Sequence, residues 1–410
     1  MKHAVRAGVA LLACAVLLSV GSSSARAQAD DTATNAAPAT PFSDSEIFGP
    51  PSDRLKLESV TTRITAFDQS GYGYQSQAGP LLGPGSERTT ILEPITEIVA
   101  TQGERLTHRV VIPVDIVTAA SADALDKYRK KPDVLSHASR YNEAGAIDWT
   151  ATYKTTATTD VSIRSAVHLE EPLRSWNGSL SATQTIADGD ATLSESLLEV
   201  FDWFDHFDIL GFRHGRTQRS TTTGSFGITQ ILTETTAVAV NYGLSVQKGE
   251  LGNTWNSVPL ANGKRGAEQL PTERVRHAAV ARVSQFLPWN GALHVYYRLY
   301  HDDWGITAHS VEGELMQRIA PFLYVSGLYR FHHQTGAEFF TTLAPTAAQY
   351  RTADSDLAPL DADTIGGRVV VDVPLDARTK SLHFEAGYER YFRSNDLQVN
   401  VLTWETGYHF

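Results

Sequence analysis

The sequence predicts an all-β protein, namely a transmembrane, antiparallel, up-and-down β-barrel of the outer-membrane type. About sixteen strands are expected, with fourteen as the alternative count. Three observations predict this fold. The chain starts with an export signal, apolar and polar residues alternate with the period of a strand from residue 57 onward, and the long connections fall on every second join. Barrels of this type have short periplasmic turns and longer outside loops.

Residues 1–27 have the three parts of a signal peptide. Lys2 and Arg6 form a positive start, an apolar stretch covers 8–20, and Ala25-Arg26-Ala27 fits a cleavage site for export. A membrane anchor is the alternative, but the apolar stretch is short and no basic stop-transfer run follows it. We therefore expect the protein to be exported into a Gram-negative-type cell envelope.

The mature chain is expected to lack cysteine, because Cys14 is the only one and precedes the cleavage site. That excludes disulfides, thiolate metal sites and covalently attached haem. Removing residues 1–27 removes three basic residues, which leaves 32 Lys+Arg against 46 Asp+Glu. Such acidity argues against nucleic acid as a partner. Residues 28–56, rich in Ala, Thr, Asp, Ser and Pro, are predicted to be a disordered periplasmic tether.

The barrel is expected over 57–410, because segments with strand-like alternation recur there. Segments 89–100 and 190–203 alternate poorly, with Glu93-Pro94 in the first and two glutamates in the second. A tilted membrane strand needs about 9–11 residues, which these segments supply. The sixteen predicted strands are 57–68, 89–100, 104–118, 143–156, 159–170, 173–186, 190–203, 219–232, 235–248, 273–286, 291–303, 306–319, 321–334, 363–374, 380–392 and 397–410.

The connections support the barrel independently. The joins after even-numbered segments are all tight, whereas the joins after odd-numbered segments include 69–88, 119–142, 204–218, 249–272 and 335–362. A soluble β-sandwich, the alternative fold, has no reason to sort its loops in this way. The protein is therefore expected in the cell outer membrane. An even number of strands also places both of its termini on the periplasmic side.

The polar face of each strand is expected to line the barrel interior, since successive side chains alternate across a sheet. Charges of both signs fall there, and they either select solutes in a porin or form salt-bridged ladders that fill a structural barrel. Sixteen strands enclose more space than wall side chains fill, which favours a conduit, with loops 249–272 and 335–362 as candidates for a constriction. The predicted lumen residues are Arg164, His168, Arg276, Arg282, His294, Arg298, Glu312, Glu314, Arg330, Arg368, Asp372 and Glu385.

Aromatic residues near strand ends predict belts at the two membrane interfaces. Phe286, Trp289, Trp304 and Tyr391 are assigned to these belts. In the last segment, Trp404, Tyr408 and Phe410 share one face and are similar to the C-terminal signal that barrel-assembly machinery recognises. Outer-membrane lipid and that machinery are the expected partners.

One hairpin carries a family motif. Tyr297, Arg298, Tyr300, Asp302, Asp303, Trp304, Gly305 and His309 strongly resemble the pattern of an uncharacterised bacterial family, domain of unknown function 3570, with Ala308 in place of the usual Ser. A second match lies at 114–122, and weaker similarity covers most of 57–410. The resemblance implies an outer-membrane barrel. It implies no activity, although the family's gene neighbours point to envelope redox work.

No constellation predicts catalysis, and neither an enzyme activity nor a cofactor is expected. His301, Asp302, Asp303 and His309 suggest either a metal site or, as we favour, a short turn. Asp202, Asp205 and Asp208 suggest either a calcium-binding or docking loop or a solvated loop. The function expected is a porin-like channel for small polar solutes. The alternatives are a scaffold barrel with an envelope protein partner, including a redox one, and a surface adhesin.

Overall fold

The computed structural model describes residues 55–71, 89–119, 142–170, 173–208, 212–252, 257–376 and 380–410. The predicted signal peptide and nearly all of the predicted tether lie outside these residues. Within them, no helix has the length and hydropathy that crossing a membrane requires.

Sixteen long strands form one closed antiparallel barrel. Each pairs with its neighbours in the chain, β9 pairs directly with β12, and β1 pairs with β18 to close the cylinder. Two short strands, β10 and β11, form a separate hairpin between β9 and β12. The bounds are β1 Leu55–Gly71, β2 Thr89–Gln102, β3 Leu106–Ala119, β4 Asn142–Lys154, β5 Thr159–Glu170, β6 Leu173–Ile186, β7 Ala191–Phe207, β8 Arg213–Thr233, β9 Thr236–Gly249, β10 Ser257–Pro259, β11 Arg265–Ala267, β12 Glu273–Leu287, β13 Gly291–Asp302, β14 Thr307–Ala320, β15 Leu323–Gln334, β16 Leu360–Pro374, β17 Ser381–Arg393 and β18 Leu397–His409.

The predicted fold class is confirmed. All sixteen expected segments correspond to barrel strands, and the sheet closes, so the sandwich alternative is wrong. The long joins β1–β2, β3–β4, β9–β12 and β15–β16 all lie at one end of the barrel, which we call the loop end. Tight turns fill the opposite end. Asn290 in the β12–β13 turn has a φ of 61°, a conformation that asparagine tolerates better than most residues.

The β7–β8 hairpin is longer than the sequence predicts. Residues 204–218 were expected to be a loop, but β7 extends to Phe207 and β8 starts at Arg213. Cross-strand ion pairs explain the extension. Asp202 pairs with Arg219 at 2.7 Å, and Asp205 pairs with Arg213 at 2.7 Å. Asp202 and Asp205 therefore lie on a strand and not in a loop, whereas Asp208 lies beyond β7 and accepts from the backbone N–H of Phe212 at 2.9 Å.

The polar face of the sheet is the concave one. Arg368 of β16 contacts Glu314 of β14 at 2.6 Å, although β15 lies between them. Alternate strands are about 9.6 Å apart, so such a contact needs side chains that converge towards the inside of the curve. On β13 the concave residues, such as His294 and Arg298, are half-buried, whereas the convex apolar residues, such as Leu293, are exposed. Paired residues share a face, and the pairing carries this assignment around the whole barrel.

Two strands alternate poorly for different reasons. In β2 the pairing to β3 is interrupted at Glu93 and Pro94, where proline lacks an N–H for the ladder. In β7 the glutamates Glu195 and Glu199 lie on the convex face, and Glu199 accepts a hydrogen bond from Thr222 at 2.6 Å. The poor alternation in β7 therefore arises because carboxylates lie among apolar residues on the convex face, and the strand itself is unbroken.

Candidate functional site

The concave surface has two contrasting parts. We call the concave side chains of β12–β18 the charged wall, because long ionisable residues dominate it. Ten of the twelve predicted lumen residues lie there, and Arg164 and His168 lie on the concave face of β5. The ionisable residues of the charged wall are Arg274, Arg276, Arg282, His294, Arg298, Asp302, Glu312, Glu314, Arg318, Arg330, His332, Arg368, Asp372, His383, Glu385, Glu389, Arg393, Glu405 and His409.

Most charges of this surface are paired across strands. Arg330 donates to Glu312 through Nε at 2.6 Å and Nη2 at 2.5 Å. Arg368 donates to Glu314 at 2.6 Å and lies 4.0 Å from Glu385. Both pairs are partly shielded from solvent, so the interaction is stronger than that of an exposed pair. On the other side of the barrel, Arg164 donates to Asp148 at 2.7 Å.

The second part is the hydroxyl wall, formed by concave side chains of β6–β9. Its side chains are short and mostly uncharged, and several bond to their cross-strand neighbours. Ser196 and Ser225 are 2.6 Å apart, and Thr223 and Ser245 are 2.7 Å apart. The short polar and glycine positions of this wall include Ser175, Asn177, Ser179, Ser181, Thr183, Thr185, Thr192, Ser194, Ser196, Thr221, Thr223, Ser225, Gly227, Thr229, Asn241, Gly243 and Ser245, and the charged pair Asp202–Arg219 lies towards the loop end.

Two loops at the loop end fold into one body, which we call the cap. It consists of residues 250–252 and 257–272 together with 335–359. The two loops share backbone pairing, from Leu260 to Ala344 and from Gln269 to Arg351. Val258, Leu260, Ala344 and Ala353 form a small buried cluster between them. The cap therefore has its own apolar core and is a structured element.

The cap rests on the concave face of β15–β17. Gln334, concave on β15, donates to the carbonyl oxygens of Asp356 and Ala358 at 2.9 and 2.8 Å. Arg393, concave on β17, donates to the Asp356 carboxylate at 2.5 Å. Ala362 and Thr364 of β16 are buried beneath it. The segment 354–358 thus crosses the concave surface at the loop end.

Asp302 of the family motif organises the join between β13 and the cap. Its side chain is fully buried. Oδ1 accepts hydrogen bonds from the backbone N–H groups of Trp304 and Ile306, at 3.1 and 2.9 Å. Oδ2 accepts from Arg274 Nε at 2.9 Å and from the Tyr300 hydroxyl at 2.8 Å. One carboxylate therefore holds the turn and two concave side chains together.

Trp304 does not lie in an interfacial belt, which corrects the sequence-based assignment. It is 4% exposed and packs edge-on against Phe339 of the cap, with 5.2 Å between ring centroids. The Arg274 guanidinium lies 4.2 Å from its ring centroid. Gly305 follows with a φ of 88°, and a Cβ there would meet Glu338. Tyr391 is also misassigned, because it lies on the concave face and its hydroxyl accepts from Arg393.

The remaining motif residues divide between the two faces. Arg298 is concave, whereas Tyr297 and His309 are convex and bonded to each other at 2.7 Å. Asp303 is exposed and accepts from the backbone N–H of Val275. Because His301 and His309 are convex and Asp302 is concave, these side chains do not converge on one metal ion. Among the described residues, no group of three or more His, Cys, Asp or Glu side chains is placed to hold a metal.

The aromatic residues of the strand ends are exposed but do not all lie on one face. Trp404 is exposed on the convex face of β18, and Trp289 is exposed in the β12–β13 turn. Phe286 pairs with Ala292 and therefore lies on the concave face of β12, which corrects its assignment to a belt. Tyr408 and Phe410 contact each other edge to face at 4.6 Å. The backbone N–H of Phe410 donates to the carbonyl of Glu58, which ties the last residue to β1.

Sequence reasoning missed the residues that hold the cap. Gln334 and Asp356 are ordinary polar residues in the sequence, and their roles depend on contacts across 22 positions of the chain. Periodicity carries no signal for such contacts. Glu389 of the charged wall was missed as well, although its alternation with Tyr388 and Arg390 places it on the concave face.

Fold and site define a closed sixteen-stranded barrel with a two-part polar interior and a cap at one end. The chain belongs to the family described as Protein of unknown function (DUF3570), whose model matches residues 137–404. That stretch contains the motif hairpin but not the second resembling segment at 114–122. No curated protein matches the chain.

Solved structures with a similar fold include three porin-type barrels from Pseudomonas. The BenF-like porin from Pseudomonas fluorescens Pf-5 is 9% identical with a TM-score of 0.44, covering 86% of this chain and 99% of its own. Pseudomonas aeruginosa OccK2 (OpdF) in complex with glucuronate is 7% identical with a TM-score of 0.43, covering 87% and 96%. Pseudomonas aeruginosa OccD3 (OpdP) is 8% identical with a TM-score of 0.43, covering 88% and 92%. Such distant resemblances carry no information about a solute or an activity.

Proposed function

We propose that the protein is a porin-like channel of the outer membrane that passes small polar solutes. The observation that carries the proposal is the hydroxyl wall. Its short side chains bond along the wall and project little into the interior. A sixteen-stranded cylinder is too wide to be filled by such side chains, so water occupies the remaining space. A wet, polar interior with one open side is what a solute path requires.

The convex surface supports a membrane location. Large apolar side chains are exposed around the cylinder, among them Ile163, Leu180, Leu197, Val311, Ile365 and Leu402. Leaving so much contiguous apolar surface in water is unfavourable at about 25 cal/mol per Å², whereas lipid covers it at no such cost. We therefore propose that membrane lipid surrounds the convex surface of the barrel. Export through residues 1–27, periplasmic termini and assembly guided by Trp404, Tyr408 and Phe410 are parts of the same proposal.

The cap governs the proposed path at the loop end. Its segment 354–358 lies against β15–β17, on the charged wall, through Gln334 and Arg393. We place the solute route along the hydroxyl wall, where the side chains are shortest. The predicted constriction by loop 335–362 is thus proposed to narrow one side of the mouth.

Planar-bilayer conductance tests the channel. The purified protein should give stable conductance steps, and Arg393→Gln should enlarge them or make them more frequent, because it releases Asp356 and loosens the cap. Arg390→Gln is the matched control, since Arg390 lies on the same strand but on the convex face. It should behave as the unmodified protein does. If neither the unmodified protein nor the Arg393 variant conducts, the channel proposal is wrong.

A structural scaffold is the second candidate, and the ion pairs favour it. Arg330–Glu312 and Arg368–Glu314 satisfy each other and need no solute. A scaffold should co-purify in mild detergent with an envelope protein and give no conductance. Isolation of a lone barrel that conducts would contradict this candidate.

A further inference from the structure

The strand pair β12–β13 carries an excess of positive charge on its concave face. Four guanidiniums, those of Arg274, Arg276, Arg282 and Arg298, share that surface with one carboxylate, that of Asp302. Elsewhere on the charged wall the two signs are better balanced, as in the pairs on β14–β16. The question is whether local acceptors satisfy these cations.

Arg276 lacks a hydrogen-bond acceptor for its Nε among the described residues. The nearest carboxylate in register is Asp302, directly opposite on β13. Both oxygens of Asp302 already accept hydrogen bonds, from Arg274, Tyr300 and the turn backbone. The Nε of Arg276 is buried and, within the described part of the chain, has no hydrogen-bond partner. A buried donor without an acceptor costs about 1–3 kcal/mol, more when it is charged.

Arg298 is also uncompensated. The carboxylates on the neighbouring strand β14 are Glu312 and Glu314. Glu312 is held by Arg330 through two nitrogens, and Glu314 is held by Arg368. Among the described residues, Arg298 has neither an ion pair nor a hydrogen bond from its side chain. Its directly opposed residues are Val280 on β12, which offers no acceptor, and Ser310 on β14, whose hydroxyl contacts His332 at 2.8 Å.

The concave residues on β9 next to Arg276 are small. Ser245 of β9 is opposite Arg276, and Gly243 is opposite Ala278, the concave residue next to Arg276 on β12. A Cβ added at Gly243 would touch only a backbone oxygen of Gly224, at 4.0 Å. The positive strand pair therefore borders the small residues of the hydroxyl wall. A ligand would approach the guanidiniums from this side.

We propose that Arg276 and Arg298 form a binding site for a small oxyanion, meaning a solute with a carboxylate, sulfate or phosphate group. The guanidinium fork matches these groups geometrically, and an anion supplies the acceptors that the protein lacks there. Arg282 lies further along β12, where it donates to Ser284 and His294 but has no described carboxylate partner. It offers a second, weaker contact along the same path. The inference rests on the proposed channel only for how the anion reaches the site.

Titration calorimetry of the full-length protein in detergent, with inorganic sulfate as the probe, tests the site. The unmodified protein should bind sulfate, and Arg276→Gln and Arg298→Gln should each weaken binding about ten-fold or more, as expected for loss of a charged hydrogen-bond donor. Arg164→Gln is the control. It removes the same charge, but Arg164 on β5 is already paired with Asp148 on β4. It should change the affinity less than about two-fold. Heat-modifiable gel migration verifies that each variant is folded.

A bilayer measurement separates this inference from the channel proposal. Addition of sulfate should partly block the chloride current of the unmodified protein and of Arg164→Gln. The block should be weaker in Arg276→Gln and Arg298→Gln, in the order of their sulfate affinities. Conductance without sulfate binding overturns the anion site and leaves the channel standing. Sulfate binding without conductance supports the site and overturns the channel. A loss of binding in Arg164→Gln as large as in Arg276→Gln overturns the site as well, because net charge alone then explains binding.

Discussion

The charged wall and the hydroxyl wall belong to one cylinder but use their side chains in opposite ways. On the charged wall, long side chains reach across an intervening strand, as Arg368 does to Glu314, and bear the cap through Arg393. On the hydroxyl wall, short side chains bond only to the adjacent strand, as Ser196 does to Ser225. The comparison teaches that support and free space are segregated. The charged wall holds the cap in place, whereas the hydroxyl wall is proposed to border the solute path.

The two boundaries of the hydroxyl wall each carry an arginine, and the two arginines are in different states. At β9–β12, Arg276, whose Nε has no hydrogen-bond partner among the described residues, stands opposite the short side chain of Ser245. At the other boundary of the hydroxyl wall, next to β6, Arg164 of β5 is already paired with Asp148 of β4. The two boundaries therefore differ in whether a cation is available to a ligand.

The largest effect is expected at Asp302, where the charged wall supports the cap. Asp302→Ala removes a buried carboxylate that accepts from Arg274, Tyr300 and the turn backbone. Removing one member of a buried ion pair costs about 3–5 kcal/mol. The free energy of unfolding in urea should fall by that amount, and a protease should cut the cap loops more readily.

Asp303→Ala is the control for that measurement. Asp303 is the next residue but is exposed, and its carboxylate accepts one backbone hydrogen bond, from Val275. Its loss should cost about 0.5–1.5 kcal/mol. Equal effects at the two positions would show that Asp302 does not organise the join between barrel and cap.

An intermediate effect is expected for a substitution on the hydroxyl wall. Ser225→Trp places a large side chain on the hydroxyl wall and should lower single-channel conductance by roughly half, because the indole occupies space that water fills. Gly224→Trp is the control, since residue 224 lies on the convex face of the same strand with nothing within 4 Å of an added Cβ. It should leave conductance unchanged. An unaltered current in the Ser225 variant would move the solute path away from the hydroxyl wall.

Much of this architecture was predictable, because successive side chains of a strand point to opposite faces, so the alternation of polar and apolar residues identifies each face. All sixteen strands and the shared face of Arg276, Arg298 and Arg330 follow from alternation and loop lengths. The state of those arginines does not follow, because whether a cation is paired depends on cross-strand register. Trp304 was misassigned for a similar reason: its partner Phe339 lies in a distant loop, and a tryptophan at a strand end is equally typical of an interfacial belt.

The smallest expected effect is a difference between the two walls in the coupling free energy of one cross-strand side-chain pair. A double-mutant cycle with Arg330→Gln and Glu312→Gln should give a coupling energy of about 1 kcal/mol, as for a partly shielded, two-nitrogen ion pair. The corresponding cycle with Ser196→Ala and Ser225→Ala should give about 0.5 kcal/mol or less, because water replaces a lost hydroxyl partner in a wet interior. Unfolding in urea measures both. If the serine pair couples as strongly as the ion pair, the hydroxyl wall is a dry, packed surface, and the solute path must lie elsewhere.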